Sequence, residues 1–191
     1  MIENITNKKY DVVLLDPPWP YYGSQTKMGA AGNHYSLMTQ DDINDLPVYD
    51  LTNDKCVVFV WGTWPKLENA IEAIDAWGLV YRGCAFNWFK TKKDGETLVG
   101  SQGPRASLTK PNSEFCLWAS KDRKGRPLKL ASEKVPQLFE TTVDIKCPKL
   151  GHSVKPDIVQ DMIVESLGDV SRLEMFARRE KEGWDNWGNE I

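Results

Sequence analysis

Residues 16 to 19 read Asp-Pro-Pro-Trp and follow directly on Tyr10 to Leu15, an apolar run rich in Val and Leu. Such a run predicts a strand buried on both faces, and the prolines stop it. Asp16 then stands at a strand end. Its carboxylate accepts a hydrogen bond from an amino group, and the Asp16-Pro17 peptide sets a rigid carbonyl nearby as a second acceptor. The two prolines fix the backbone and withdraw their own donors. The result is an acceptor-rich notch suited to an amine. An exocyclic amine on a nucleobase is conjugated with its ring and is a poor nucleophile, and two acceptors on its hydrogens draw the nitrogen toward a tetrahedral form with an available lone pair. Trp19 offers a flat face on which a base stacks, worth roughly 1–3 kcal/mol. These are the parts that amine methylation needs. The same tetrapeptide also suits a proline-stiffened loop with a structural Asp and a core Trp.

The elements that must position this notch are legible in the patterning. Cys56 to Trp61 repeats the buried-strand character. Between Thr63 and Gly78, Leu67, Ala70, Ile71, Ile74 and Trp77 recur at helical spacing, with Pro65 in the first turn and Gly78 at the stop. Leu79 to Phe89 and Glu114 to Ala119 are further strand candidates. Pro156 to Leu167 reads as a helix with Ile158, Val159, Met162, Ile163 and Leu167 on one side, and Val170 to Phe176 as a last strand. Strands alternating with helices predict a parallel-rich α/β sheet, in which ligands gather beyond the carboxyl ends of the strands, where Asp16 lies. Pro20 to Thr39 and Lys90 to Asn112 fit neither pattern and are expected to be long functional loops. Trp61, Trp64, Trp77 and Trp118 fall in strand or helix positions and are expected in the core.

Composition bounds the rest. With 191 residues, 41% hydrophobic and 27% charged, the chain is expected to form one domain over residues 1–191. That excludes a disordered tail, a collagen and a small disulfide scaffold. Met1 to Lys9 lacks an apolar signal core, and the longest charge-free apolar run, Cys56 to Pro65, is far short of a membrane span, so a soluble, cytoplasmic protein is expected. Cys56, Cys84, Cys116 and Cys147 are too widely spaced for a zinc motif and read as reduced core residues. With His34 and His152 as the two histidines, no metal site is expected. Charge is uneven: residues 82 to 134 carry twelve Lys or Arg against five Asp or Glu, and the remainder twelve against twenty-two. A basic segment on an acidic body fits either a polyanion site or solvated loop tips.

The chain resembles the MT-A70 family of adenine-N6 methyltransferases. The match runs through Tyr10-Asp-Val-Val-Leu-Leu-Asp-Pro-Pro-Trp19, His34-Tyr35-Ser36, Cys56-Val-Val-Phe-Val-Trp-Gly62 and Asn112-Ser-Glu-Phe-Cys-Leu-Trp-Ala119. It continues through His152-Ser-Val-Lys-Pro156 and Arg172-Leu-Glu-Met-Phe-Ala-Arg178 to Gly183-Trp-Asp-Asn-Trp-Gly-Asn-Glu190. Seven segments in order cover nearly the whole chain. The resemblance implies a Rossmann-like fold in permuted order, with the catalytic motif first and the cofactor-contacting strand last, and S-adenosylmethionine as methyl donor. That donor carries no pyrophosphate, which accounts for the missing Gly-x-Gly-x-x-Gly and phosphate loop.

By the same resemblance, Asp16, Pro17, Pro18 and Trp19 are catalytic, with Asp16 and Pro17 also abutting the cofactor. Lys155 would pair with the methionine carboxylate, Glu174, Arg178, Asn189 and Glu190 would hold the ribose region, and Phe176 would flank the cofactor. Tyr35 would line the adenine side, while His34 reads as structural. The basic segment supplies the expected nucleic-acid contacts: Lys90, Lys92, Lys93, Arg105, Lys121, Arg123, Lys124 and Arg126. Only 15 residues precede Asp16 in this sequence, so the upstream cofactor-adenine contacts of many members are expected to be missing or supplied elsewhere, and no dedicated target-recognition domain is expected. A small bacterial or phage DNA adenine-N6 methyltransferase is the leading expectation. The alternatives are an RNA adenine-N6 methyltransferase, or a non-catalytic nucleic-acid-binding partner; a homodimer or a partner subunit is compatible with each.

Overall fold

The computed structural model describes residues 8–20, 38–92, 94–99, 108–109, 111–142 and 155–188. Its elements are β1 (Tyr10–Leu15), α1 (Gln40–Asn44), β2 (Thr52–Thr63), α2 (Leu67–Ala76), β3 (Val80–Thr91), β4 (Leu98–Val99), β5 (Ser113–Ser120), β6 (Leu138–Thr142), α3 (Ile158–Leu167), β7 (Arg172–Met175) and β8 (Asp185–Trp187). They form one sheet in the order β4-β3-β5-β2-β1-β7-β8, with β6 paired to β3.

β1 owes its central place to its sequence. Val13 and Leu15 enter one core with Val58, Val60, Leu117 and Leu173, under α1 and α2, while Val12 and Leu14 enter a second with Phe59, Trp61, Phe86 and Ile163, under α3. A strand with apolar residues on both faces is stable only between two covered faces. α1 is short and held by a reciprocal cap: the Thr39 hydroxyl accepts from the Asp42 N–H and the Asp42 carboxylate accepts from the Thr39 N–H, both at 3.1 Å. Before α2, a 3-10 turn over Trp64–Lys66 carries Pro65.

β1 pairs in parallel with β2 and β7, β7 with β8, and β3 with β6. β5 runs antiparallel to both β2 and β3, and β4 antiparallel to β3. The sheet is therefore mixed but parallel-rich as expected: six of its eight strands share one direction, and β4 and β5 oppose them. The reversal of β5 has a consequence for the site. The carboxyl ends of β1, β2, β3 and β7 share one end of the sheet with the amino end of β5 and that of α3. Neighbouring strands leave β1 on opposite sides, so Asp16 sits at the switch point where α/β sheets bind ligands.

Several expected core positions differ. Trp64 is 45% exposed and Ile71 is 36% exposed, because the turn before α2 and the helix's own rotation leave both facing outward. Ile158 is likewise exposed at the first turn of α3, Trp118 is only partly buried, and Cys84 is half-buried while Cys56 and Cys116 are buried. Cys147 lies outside the described residues. α1, β4, β6 and β8 have no counterpart among the expected elements. They are short, and tertiary pairing or a cap rather than periodicity specifies them. Among the described residues no helix is long and apolar enough to cross a membrane.

Gly62, near the end of β2, has the buried Phe115 ring lying over it, so that a methyl group added there would meet ring atoms at 2.6 Å. Gly62→Ala is therefore expected to lower stability by about 1–3 kcal/mol through overpacking. Equilibrium urea unfolding checks this, and an unchanged midpoint would mean that Phe115 moves aside freely.

Candidate active site

The Asp-Pro-Pro-Trp segment makes a tight turn as it leaves β1. The Trp19 backbone N–H donates to the Pro17 carbonyl at 2.8 Å, and the Trp19 indole N–H donates to the Trp61 carbonyl at 2.9 Å. Trp19 is 4% exposed, packed in the core beneath α1 and α2. The expectation that its face stacks on a base is thereby corrected: the indole is consumed in anchoring the turn to β2. That anchor fixes the direction in which Asp16 projects.

Asp16 faces Lys155, the residue before α3's leading proline. The ammonium lies 2.8 Å from Asp16 Oδ1 and 2.9 Å from Oδ2, and 3.4 Å from Glu114 Oε2. Glu114 also accepts from the Lys90 ammonium at 2.6 Å. The four charges alternate in a row, Asp16, Lys155, Glu114, Lys90, all with side chains less than a quarter exposed. Beneath them lie indoles: the Lys155 ammonium is 5.6 Å from the Trp61 ring and that of Lys90 4.1 Å from the Trp88 ring. Burial alone would lower the Lys155 pKa, but the carboxylates of Asp16 and Glu114 outweigh it and hold the pKa above the usual lysine value. Burial likewise works against the Glu114 carboxylate, and Lys155 and Lys90 overcome it and hold its pKa below the usual range. Lys155 therefore remains a cation and keeps Asp16 oriented. Sequence reasoning missed Glu114; Lys90 is part of this row rather than an open phosphate contact.

The cleft beside the row is lined by Asp16, Lys155, Gln160, Glu174, Phe176 and Arg178, among others. Glu174 accepts from the Gln160 amide at 2.8 Å, and burial, then the charge of Asp16, pushes its pKa up to about 7. Phe176, just past β7, has φ 63°, a conformation that is costly for a bulky residue and that turns the chain sharply at the cleft. Its ring meets Trp187 edge-on at 5.3 Å. Gly188 then passes against the Ala177 backbone so closely that no side chain fits. Arg179, also on the cleft, donates to the Lys155 carbonyl at 3.2 Å and pairs with Asp157. Gln160 and Arg179 were not anticipated either. Both belong to segments whose helical or loop pattern carries no chemical signature.

The basic segment is divided. Lys92 is exposed at the same end of the sheet as Asp16. Lys121, Arg123, Lys124 and Arg126 follow the far end of β5, roughly 20 Å along the strand from Glu114. There Lys121 donates to the Thr52 carbonyl at 2.9 Å, Arg126 pairs with Glu133 at 3.0 Å, and Arg82 clasps the turn through the Asp122 and Gly125 carbonyls. The structure thus does not bring this cluster to the site, because an antiparallel strand carries its two ends to opposite rims. Tyr35, His34, Lys93, Arg105, His152, Asn189 and Glu190 lie outside the described residues.

A family model described as MT-A70 matches residues 10–190. The type II methyltransferase M.MunI of a Mycoplasma species is 29% identical over 98% of this chain and 80% of its own length. The N(6)-adenine-specific methyltransferase METTL4 of Homo sapiens is 27% identical over 96% of this chain and 38% of its own. The N6-methyladenosine RNA methyltransferase MTA1 of Pyricularia oryzae is 30% identical over 95% of this chain and 47% of its own. The chain therefore spans less than half the length of the latter two. Further matches carry the names of non-catalytic subunits.

Two stability measurements test the electrostatics. Glu114→Gln leaves Lys90 and Lys155 short of a counter-charge, and is expected to cost toward the low end of about 3–5 kcal/mol in urea unfolding, since part of the group meets solvent. Glu174 has the opposite signature. Between the ordinary carboxyl value of 4.5 and about 7, the folded chain holds a proton that the unfolded chain has lost. Its contribution makes stability fall as pH rises through that window and level off above it. Comparing wild type with Glu174→Gln across the window should show this slope disappearing in the variant; identical pH profiles would refute the assignment.

Proposed function

The chain belongs to the MT-A70 family of methyltransferases, and on that premise we propose that it transfers a methyl group from S-adenosylmethionine to the N6 amine of adenine in DNA. The observation that carries this reading is Asp16, held by Lys155 and by the anchored turn at the mouth of a cleft containing Glu174. Support comes from the similarity to the type II methyltransferase M.MunI, which covers 98% of this chain and 80% of its own length. RNA is the second reading, favoured by the similarity to MTA1. A soluble bacterial or phage-encoded protein acting in the cytoplasm fits the composition and the relative's source.

The cleft suits the proposed methyl donor in its donor set. Glu174, half neutralised near pH 7, offers a carboxyl to vicinal hydroxyls, with Arg178 at the same wall and Phe176 turned toward the cleft. Lys155, on the cleft wall, would meet the methionine carboxylate with its positive charge. The donor supplies an electrophilic methyl on a sulfonium. The Asp16 carboxylate and the carbonyl of the Asp16-Pro17 peptide accept from the target amine and direct its lone pair at that methyl, and one N–H proton leaves to solvent as the product forms. Lys155 prevents Asp16 from swinging away between turnovers. A base in a duplex has to leave the stack to reach Asp16, whereas a single strand avoids that cost.

The intact acceptor notch and the charge row favour a catalytic chain over a non-catalytic partner. Asp16→Asn is expected to lower methyl transfer by two or more orders of magnitude while leaving donor binding intact, as measured with duplex DNA, single-stranded DNA and RNA containing adenine. Near-normal transfer by the variant would remove Asp16 from the chemistry, and the preferred polymer decides between DNA and RNA. A second test concerns Glu174. If its carboxylate accepts from the ribose, donor binding near pH 7 releases protons, which calorimetry in buffers of different ionisation enthalpy detects. Release that persists in Glu174→Gln would assign it elsewhere.

A further inference from the structure

Trp64 is fixed at the site's rim without being buried. It directly follows β2, whose carboxyl end lies beside Asp16; from the β1–β2 register Asp16 stands level with Trp61, so Trp64 is roughly 10 Å further out. Its indole N–H donates to the Ser113 hydroxyl at 2.8 Å, and its ring meets Phe115 edge-on at 5.3 Å. Pro65 stiffens the turn that carries it. The polar atom is satisfied and one edge is seated, yet 45% of the residue remains open to solvent. An indole whose N–H is spoken for presents an apolar face and little else. That is the arrangement of a stacking surface rather than of a core residue.

Position singles it out further. The other exposed aromatic residues described, Tyr49 at 47% and Tyr81 at 42%, lie at the opposite end of the sheet, before β2 and at the start of β3. Trp64 shares its rim with exposed Lys92. An aromatic face with a cation on one rim is what single-stranded nucleic-acid surfaces use, the ring for a base and the cation for the backbone. Trp19, being buried, is not available for that task.

We propose that Trp64 stacks on a base flanking the target adenine and so holds the strand in register with Asp16. This rests on the reading that the cleft works on nucleic acid, and it adds a binding residue to that reading. Stacking is tolerant of base identity, so Trp64 contributes affinity and placement more than sequence preference.

The test is binding, not turnover. Affinity of the full chain is measured for a short single-stranded oligonucleotide with one adenine, and for a copy with abasic sites on both sides of it. Trp64→Ala should bind the intact strand roughly 5- to 150-fold more weakly. Trp64→Phe should recover most of the loss, Tyr81→Ala should match wild type, and the abasic strand should erase the difference between wild type and Trp64→Ala. Unchanged S-adenosylmethionine affinity and urea midpoint in Trp64→Ala exclude a folding defect. Equal affinity of wild type and Trp64→Ala, or a difference that survives the abasic substitutions, overturns the stacking role while leaving the methyltransferase reading in place. Failure of wild type to bind any oligonucleotide overturns both.

Discussion

Everything at the cleft depends on one buried ammonium. Lys155 touches Asp16 and Glu114 at once, and without it two carboxylates would face each other across a partly dehydrated gap, with Glu174 close by. Like charges at that separation cannot all stay ionised. Lys155 removes the conflict for Asp16 and Glu114, and Glu174 resolves its own by holding a proton up to about pH 7. The cluster is thus poised: three acids, two lysines and a proton whose place depends on what enters the cleft. A ligand that brings hydroxyls to Glu174 or an anion to Lys155 shifts that balance, which couples binding to ionisation.

The sheet makes the cluster possible through a reversal. Had β5 run parallel to β2, Glu114 would lie at the opposite rim and Lys155 would have a single partner. Running antiparallel, β5 delivers Glu114 opposite Thr63 and beside Trp88, and Lys90 follows from β3 on the far side. The same reversal sends Lys121 to Arg126 away from the site. One topological fact therefore both builds the charge row and splits a basic stretch that is contiguous in the chain.

Tryptophan shows how differently one residue type is used around a site. Trp19 is spent on holding the turn, through its N–H to β2. Trp61 and Trp88, 6.1 Å apart and edge-on, floor the row of charges. Their flat, polarisable faces favour cations lying over them and help to offset the cost of burying two ammoniums. Trp64 alone among these turns a face outward. Four indoles within a few residues of the strand ends serve an anchor, a floor and a rim.

Much of this was written locally in the chain. Tyr10 to Leu15 had to be a doubly buried strand because it is apolar at every position but one, and Asp16 had to end it because prolines follow. Helices α2 and α3, strands β2, β3, β5 and β7, and the motifs shared with MT-A70 proteins were readable for the same reason: short-range pattern reflects burial on a known period. Tertiary structure decided what pattern does not encode. Glu114 looks like any strand carboxylate until β5 is reversed against β2. Lys155, whose partners are distant in sequence, acquires them only when the start of α3 meets the end of β1. Trp19 and Trp64 are chemically identical in the sequence, and only packing makes one a core anchor and the other an open face. Strand direction and long-range contact set which rim a residue reaches, and neither is a property of its neighbours in the chain.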